Sequence, residues 1–220
     1  MTRIFRDRLD AGVQLAGELK AYANDPGLLV LGLPRGGVPI AYEVARALHA
    51  PLDVFVVRKL GVPGHRELAM GAIASGGVRV LNPDVIESLQ ISAPVIDAVA
   101  RYEQKELERQ RRAYRDDIPA PDLAGRTVII VDDGLATGST MRAAVRALRQ
   151  SGPSRIIVAV PVGAAETCQS LRDEADQVVC PNVPQDFHAV SLWYDEFSQI
   201  TDQEVRRLME AAAGHHAPAR

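Results

Sequence analysis

Apolar runs punctuate this chain at regular intervals, each followed by a glycine-rich or charged turn and then by residues at helical spacing. Leu28 to Leu33 and Val128 to Val131 are continuous and rich in branched side chains, the pattern of strands buried on both faces. Leu52 to Val57 and Arg155 to Val160 read as further strands, and Gln177 to Cys180 as a short one. Helical patterns lie between them. Arg8 to Tyr22 places Leu9, Val13, Leu15, Ala16 and Leu19 at helical spacing and closes at Asp25-Pro26-Gly27. Gly37 to Ala50, Ser139 to Gln150 and Ala164 to Ala175 follow, and Asp202 caps a last helix. Strands alternating with helices predict an α/β fold: a parallel sheet with right-handed crossovers and ligands at the carboxyl ends of its strands.

Three stretches break the alternation. Residues 61–81 are glycine-rich and carry two weak strand patterns, AMGAIA and GVRVL, separated by Ser75-Gly76-Gly77, which predicts a hairpin-like excursion. Residues 93–115 mix Arg101, Lys105, Arg109, Arg111, Arg112 and Arg115 with several Glu at helical spacing. This reads as a solvated helical arm, with homodimer formation or RNA binding as functional alternatives. From Pro181 to Ile200 the periodicity fails, and Phe187, Trp193, Tyr194 and Phe197 cluster there. They fit a surface that stacks on a planar group, or equally a small apolar core.

At 220 residues and 47% hydrophobic, the chain suits one domain over residues 1–210, followed by a disordered tail at 211–220. The core is expected at about 28–180. A net charge of −3 with interspersed signs leaves no basic surface for nucleic acid. Cys168 and Cys180 form no CxxC or Cys/His cluster and are assigned to packing as reduced thiols. The charged start MTRIFRDRLD and the lack of any run of membrane length predict a cytoplasmic protein without a membrane partner.

The chemistry concentrates in VIIVDDGLATGST, residues 128–140. Asp132 and Asp133 stand where the buried strand ends, and Gly134, Ala136, Thr137, Gly138, Ser139 and Thr140 make a small hydroxyl-rich loop that opens a helix. Backbone N–H groups, hydroxyls and the positive end of a helix dipole suit a phosphate. The two acids repel phosphate but accept from vicinal ribose hydroxyls or hold magnesium water. The ligand this implies is a ribose 5-phosphate unit. Neither GxxxxGK[ST] nor GxGxxG is present, which excludes the two commoner phosphate loops. A second loop, Leu33-Pro34-Arg35-Gly36-Gly37, also joins a strand to a helix and brings a permanent charge beside two glycines. Arg58 and Lys59 follow the strand at 52–57 and are read as a third phosphate contact. Arg6, Asp7 and Arg8 are read as helix-start charges.

The 128–140 stretch resembles the phosphoribosyl-pyrophosphate motif of the type I phosphoribosyltransferases at all thirteen positions. The resemblance covers 1–210 loosely and 28–60 and 126–161 specifically. It implies a magnesium-dependent transfer of phosphoribosyl from phosphoribosyl pyrophosphate to a nucleobase or other small acceptor, on a type I core with a small hood. Under it, Arg35, Lys59, Asp132 and Asp133 are catalytic. Residues 132–134 and 136–140 bind ribose 5-phosphate, while Arg35, Gly36, Gly37, Arg58 and Lys59 hold pyrophosphate. Mg2+ is reached by Asp132 and Asp133 through ligand or water. The segment 61–77 becomes a closing flap carrying His65, Arg66 and Glu67, and 181–200 with the N-terminal segment becomes the hood, with Phe187, Trp193 and Tyr194 against the base. Where 6-oxopurine enzymes carry an Asp three positions after the second acid, this chain has Ala136, which argues against hypoxanthine and guanine. The alternative is a non-catalytic phosphoribosyl-pyrophosphate or nucleotide-binding regulator.

Overall fold

The computed structural model describes residues 5–115 and 120–215, with the side chains of Arg66, Glu67, Arg115 and His215 outside that description. Five strands, β1 (Leu28–Gly32), β2 (Leu52–Val54), β6 (Thr127–Val131), β7 (Arg155–Ala159) and β8 (Gln177–Val179), form a wholly parallel sheet in the order β2-β1-β6-β7-β8. Leu28 pairs with Thr127 and Gly32 with Val131, so β1 and β6 end level with each other. The chain leaves β1 toward β2 and leaves β6 toward β7, which makes the β1/β6 boundary the topological switch point.

Both faces of this sheet are covered, which is why its strands read as unbroken apolar runs. Leu29, Leu31, Val128, Ile130, Ile156 and Val158 face α5 (Ser139–Gln150). Their sequence neighbours Leu28, Val30, Ile129, Val131 and Ile157 face α1 (Arg8–Glu18) and α2 (Gly37–Leu48). Alternate residues of each strand thus serve different layers. Asp7 caps α1, its side chain accepting from the Asp10 N–H at 2.8 Å. Besides the parallel strands, the sequence pattern locates α2, α5 and the short α6 (Ala165–Leu171) to within a few residues.

The hairpin-like excursion is larger than expected. Residues 57–81 form an antiparallel sheet of their own, β3 (Val57–Val62), β4 (His65–Ala74) and β5 (Val78–Leu81), in the order β3-β4-β5. The expected strand at 52–57 is therefore two: β2 ends at Val54, and Val57 already belongs to the second sheet. A short helix α3 (Pro83–Ser88), unforeseen, follows β5.

The expected solvated arm is α4 (Ala93–Arg115), and its placement corrects the reading. Ile96, Leu107 and Tyr114 are buried against Leu60, Val62, Met70 and Ile73 of the second sheet and Val205 of α7 (Asp202–His215). One apolar stripe suffices to dock a helix whose other faces are charged. The tail also begins later than expected, because α7 continues through residue 215; residues 216–220 lie outside the described part.

Candidate functional site

The level ends of β1 and β6 bring the two loops into direct contact. The Leu33 N–H donates to the Val131 carbonyl at 2.9 Å, extending the pairing beyond the strands. A Cβ on Gly37 would stand 2.5 Å from that carbonyl and 2.8 Å from Asp132 Cα. One on Gly36 would stand 2.0 Å from Asp133 Oδ2. Both glycines are thus required by close approach to the acids. The Pro34–Arg35 peptide between them and β1 is cis.

The two acids differ in their partners. Asp132 accepts from the Asp133 N–H at 2.9 Å, and among the described residues no cation lies within ion-pair distance of it. Burial, and then the Asp133 charge, push its carboxyl well above the ordinary range. Asp133 is paired. Arg8 Nε and Nη2 both lie 3.0 Å from Asp133 Oδ2, while Arg8 Nη1 donates to the Ser198 carbonyl at 2.8 Å. The same guanidinium stacks over Phe197, 3.8 Å from the ring centre. Burial raises Asp133 as well, and Arg8 opposes that rise. The two acids, read alike from the sequence, are thus not equivalent: Asp133 has an ion-pair partner and Asp132 has none among the described residues.

Arg8 is the functional residue that sequence reasoning missed. It is 8% exposed and not merely a helix-start charge. Its partner lies 125 positions away, so no local pattern signals it. Only a charged residue on the otherwise buried face of α1 hints at it.

Beyond the acids, the chain turns through Leu135, whose N–H donates to the Val162 carbonyl at 3.0 Å. Ala136 and Thr137 are exposed, and the Ala136 carbonyl accepts from the Thr167 hydroxyl at 2.6 Å. Gly138 caps α5 at φ +68, a left-handed conformation that favours glycine. Thr137 Oγ1 and Ser139 Oγ lie 3.2 Å apart, and Thr140 is exposed on the first turn of α5. Gly138 supplies no side-chain cap, and the Ser139 N–H reaches only Thr137 Oγ1 at 3.5 Å, which leaves the first-turn N–H groups for an anion to use.

Arg35 points to a different neighbour, its Nη1 3.7 Å from Asp202 Oδ1 at the start of α7. Asp202 also accepts from the Tyr114 hydroxyl at 3.0 Å. Lys59 lies on the middle of β3, a correction to its expected strand-end position. Its side chain borders a cleft of about 300 Å³ with Thr137, Ser139, Arg142 and Arg146. Arg58, on the same strand, points the other way and pairs with Glu103 of α4 at 2.7 Å. Period-two alternation separates the two cations, so Arg58 is removed from the expected phosphate contacts.

His65 begins β4 and is exposed, and among the described residues no hydrogen bond or ion pair joins it to the two loops. The side chains of Arg66 and Glu67 lie outside the described residues. Of the hood aromatics, Tyr194 is placed differently from the expectation. Tyr194 is 6% exposed, packs against Phe5 and Phe197, and donates its hydroxyl to the Asp133 carbonyl at 2.6 Å. Burial pushes that phenol upward, so it stays a donor. Phe187 and Trp193 pack on the same core. Tyr194 thus supports the motif through the Asp133 carbonyl. No group of three or more metal-ligating side chains occurs among the described residues, and no described helix is long and apolar enough to cross a membrane.

Comparison with known proteins agrees with this arrangement. Two Mycobacterium tuberculosis relatives, named "Putative phosphoribosyl transferase MT0597" and "Putative phosphoribosyl transferase Rv0571c", are each 46% identical over 217 residues. These matches cover 99% of this chain and 49% of each relative, so the chain spans about half the length of the curated relatives it matches. The solved structure of TT1426 from Thermus thermophilus is 42% identical, superposes with a TM-score of 0.84, and covers 94% of this chain and 97% of that one. The family model for the phosphoribosyl transferase domain matches residues 64–195, which include both acids and the whole Thr/Gly loop. The chain belongs to the phosphoribosyl transferase domain family.

Proposed function

We propose that the protein transfers the phosphoribosyl group of phosphoribosyl pyrophosphate to a small acceptor and releases pyrophosphate, with Mg2+ bound alongside the donor. The observation that carries this reading is the packing of Gly36 and Gly37 against Asp133 and Asp132 at the switch point. A phosphate loop, an acidic strand end and a basic glycine loop within one crevice match a ligand with a phosphate, vicinal hydroxyls and a second anionic group.

Each element then has a role. The N–H groups and hydroxyls of residues 137–140 take the 5′-phosphate. Asp132 accepts from the ribose hydroxyls and favours the positive charge that develops on the ring as the glycosidic bond lengthens. Arg35, released from Asp202, neutralises the departing pyrophosphate from one side, and Lys59 approaches across the cleft from the other. Asp133 keeps the strand end in place through Arg8.

The donor set fits magnesium. Asp132 is a hard oxygen donor with no ion-pair partner among the described residues, so a divalent ion and ligand oxygens would complete it. Bound there, the ion would supply charge neutralisation to the pyrophosphate. Ala136 leaves no carboxylate at the loop position that would move a purine proton, which favours acceptors other than hypoxanthine and guanine.

The test is pyrophosphate release from phosphoribosyl pyrophosphate and magnesium in the presence of adenine, hypoxanthine, guanine, xanthine, uracil and orotate in turn. Release with at least one acceptor outside the 6-oxopurines is expected. Tight binding of the donor without release for any acceptor would instead favour a regulator that senses it.

A further inference from the structure

Two thiols separated in sequence meet directly beneath the phosphate loop. Cys168 lies on α6 and is buried, and Cys180 follows β8 and is partly exposed. Both sulfurs abut the same point on Gly163: a Cβ there would stand 2.7 Å from Cys168 Sγ and 3.3 Å from Cys180 Sγ. The absence of a side chain at 163 is what leaves room for both sulfurs beside it. Cys180 Sγ donates to the Asn182 carbonyl at 3.4 Å, and the neighbouring Cys180 and Arg172 hold the Cys168 thiol below its ordinary range. Proximity to Cys168 and burial push Cys180 up, so Cys168 is the more readily ionised of the two.

The same turn carries the phosphate loop. The Ala164 N–H donates to the Leu135 carbonyl at 2.8 Å, and the Gly163 N–H to the Asn182 carbonyl at 3.1 Å. Thr167, next to Cys168, holds the Ala136 carbonyl through its hydroxyl, and its methyl fills the space beside Gly138. The thiols therefore sit one residue behind the groups that shape the anion site.

We propose that Cys168 and Cys180 form a modification site, a dithiol that hydrogen peroxide converts to an intramolecular disulfide, lowering the affinity of the 137–140 loop for phosphate. The Cys168 thiolate attacks the peroxide oxygen, the O–O bond breaks, and one water leaves as Cys168 becomes a sulfenic acid. Cys180 sulfur then attacks Cys168 sulfur, the S–O bond breaks, and a second water leaves. Two thiols are oxidised, and one peroxide is reduced to two waters. The new bond draws sulfur centres to about 2 Å. That pulls the start of α6 toward the end of β8 and takes Thr167 away from Ala136 and Gly138. The effect on ligand affinity rests on the function proposed above; the disulfide itself does not.

The experiment treats the full chain with stoichiometric hydrogen peroxide, counts free thiols, maps peptides, and titrates ribose 5-phosphate by calorimetry before and after reduction. The expected result is loss of both thiols, a Cys168–Cys180 cross-linked peptide, and a roughly tenfold weaker affinity that reduction restores. Cys180→Ser and Cys180→Ala should bind as the reduced protein does, form no cross-link, and keep that affinity after peroxide even where Cys168 is oxidised to the sulfenic acid. Two thiols that still titrate, or oxidation of one without a cross-link, would overturn the modification site. A disulfide with unchanged affinity would overturn its coupling to the loop. If neither form binds ribose 5-phosphate, the proposed function fails. The coupling is then decided by amide exchange at residues 135–139, where equal rates in both forms would overturn it.

Discussion

At the switch point between β1 and β6, Gly37 and Asp132 are held by neighbouring backbone; in the antiparallel sheet of β3, β4 and β5, Arg58 is held by a side chain from a distant helix. Gly37 lies against a carbonyl and a Cα of the adjoining strand end, and Asp132 accepts from the amide of the next residue. Arg58 and Lys59 are consecutive and chemically alike, yet one pairs with Glu103 on α4 and the other borders the cleft beside Thr137. Backbone contact defines a site in the chain itself, whereas side-chain contact leaves its partner to be chosen by the rest of the fold. Substitutions at the switch point should therefore do more damage than those in the second sheet.

Arg8→Met should cause the largest loss. It leaves Asp133 charged without its partner and strips the Ser198 carbonyl of a donor, a cost of roughly 3 kcal/mol given that Asp133 keeps some solvent contact. Urea denaturation measures it. A loss no larger than that of an exposed ion pair would mean that water replaces the guanidinium readily.

Gly37→Ala should follow, at about 1–3 kcal/mol, because the new methyl must displace the Val131 carbonyl or Asp132. Binding of phosphoribosyl pyrophosphate should fall along with stability. Full stability combined with lost binding would show that the loop moves apart without affecting the sheet.

Asp132→Asn should act in the opposite sense. A carboxyl raised by burial holds its proton more firmly in the folded chain than in the unfolded one. Stability thus falls as pH rises from the ordinary carboxylate range to the raised value, and stays reduced above it. The amide cannot ionise, so the variant should melt higher than wild type at neutral pH, with the gap closing in acid. Parallel melting curves across that range would place Asp132 in a solvated setting.

Arg58→Ala belongs to the second sheet and should cost least, under about 1 kcal/mol, as expected for a partly exposed ion pair. Its effect on donor binding should be negligible, while Lys59→Ala weakens binding. Equal loss from both would restore Arg58 to the site.

The same contrast explains what can be read from the chain. β1, β6, α5 and the two loops are legible because unbroken apolar runs, adjacent acids and glycines report constraints that lie within a few residues. Val57 reads with the wrong strand, since a continuous apolar run gives no sign of where one sheet ends and another begins. α4 is legible residue for residue, but its docking depends on a stripe of Ile96, Leu107 and Tyr114 that charged neighbours obscure. The contacts of Arg8 and Tyr194 with Asp133 are not written in local pattern. Their roles exist only because the fold carries Asp133 to them, through its carboxylate in one case and its carbonyl in the other.

The most direct test is calorimetric titration of phosphoribosyl pyrophosphate, with and without magnesium, into wild type and Asp132→Asn. Binding to wild type should depend on magnesium, and it should be lost in a variant that remains folded. Equal affinity in the two proteins, or equal affinity in excess chelator, would contradict the claim that the acidic strand end and the two loops form one site.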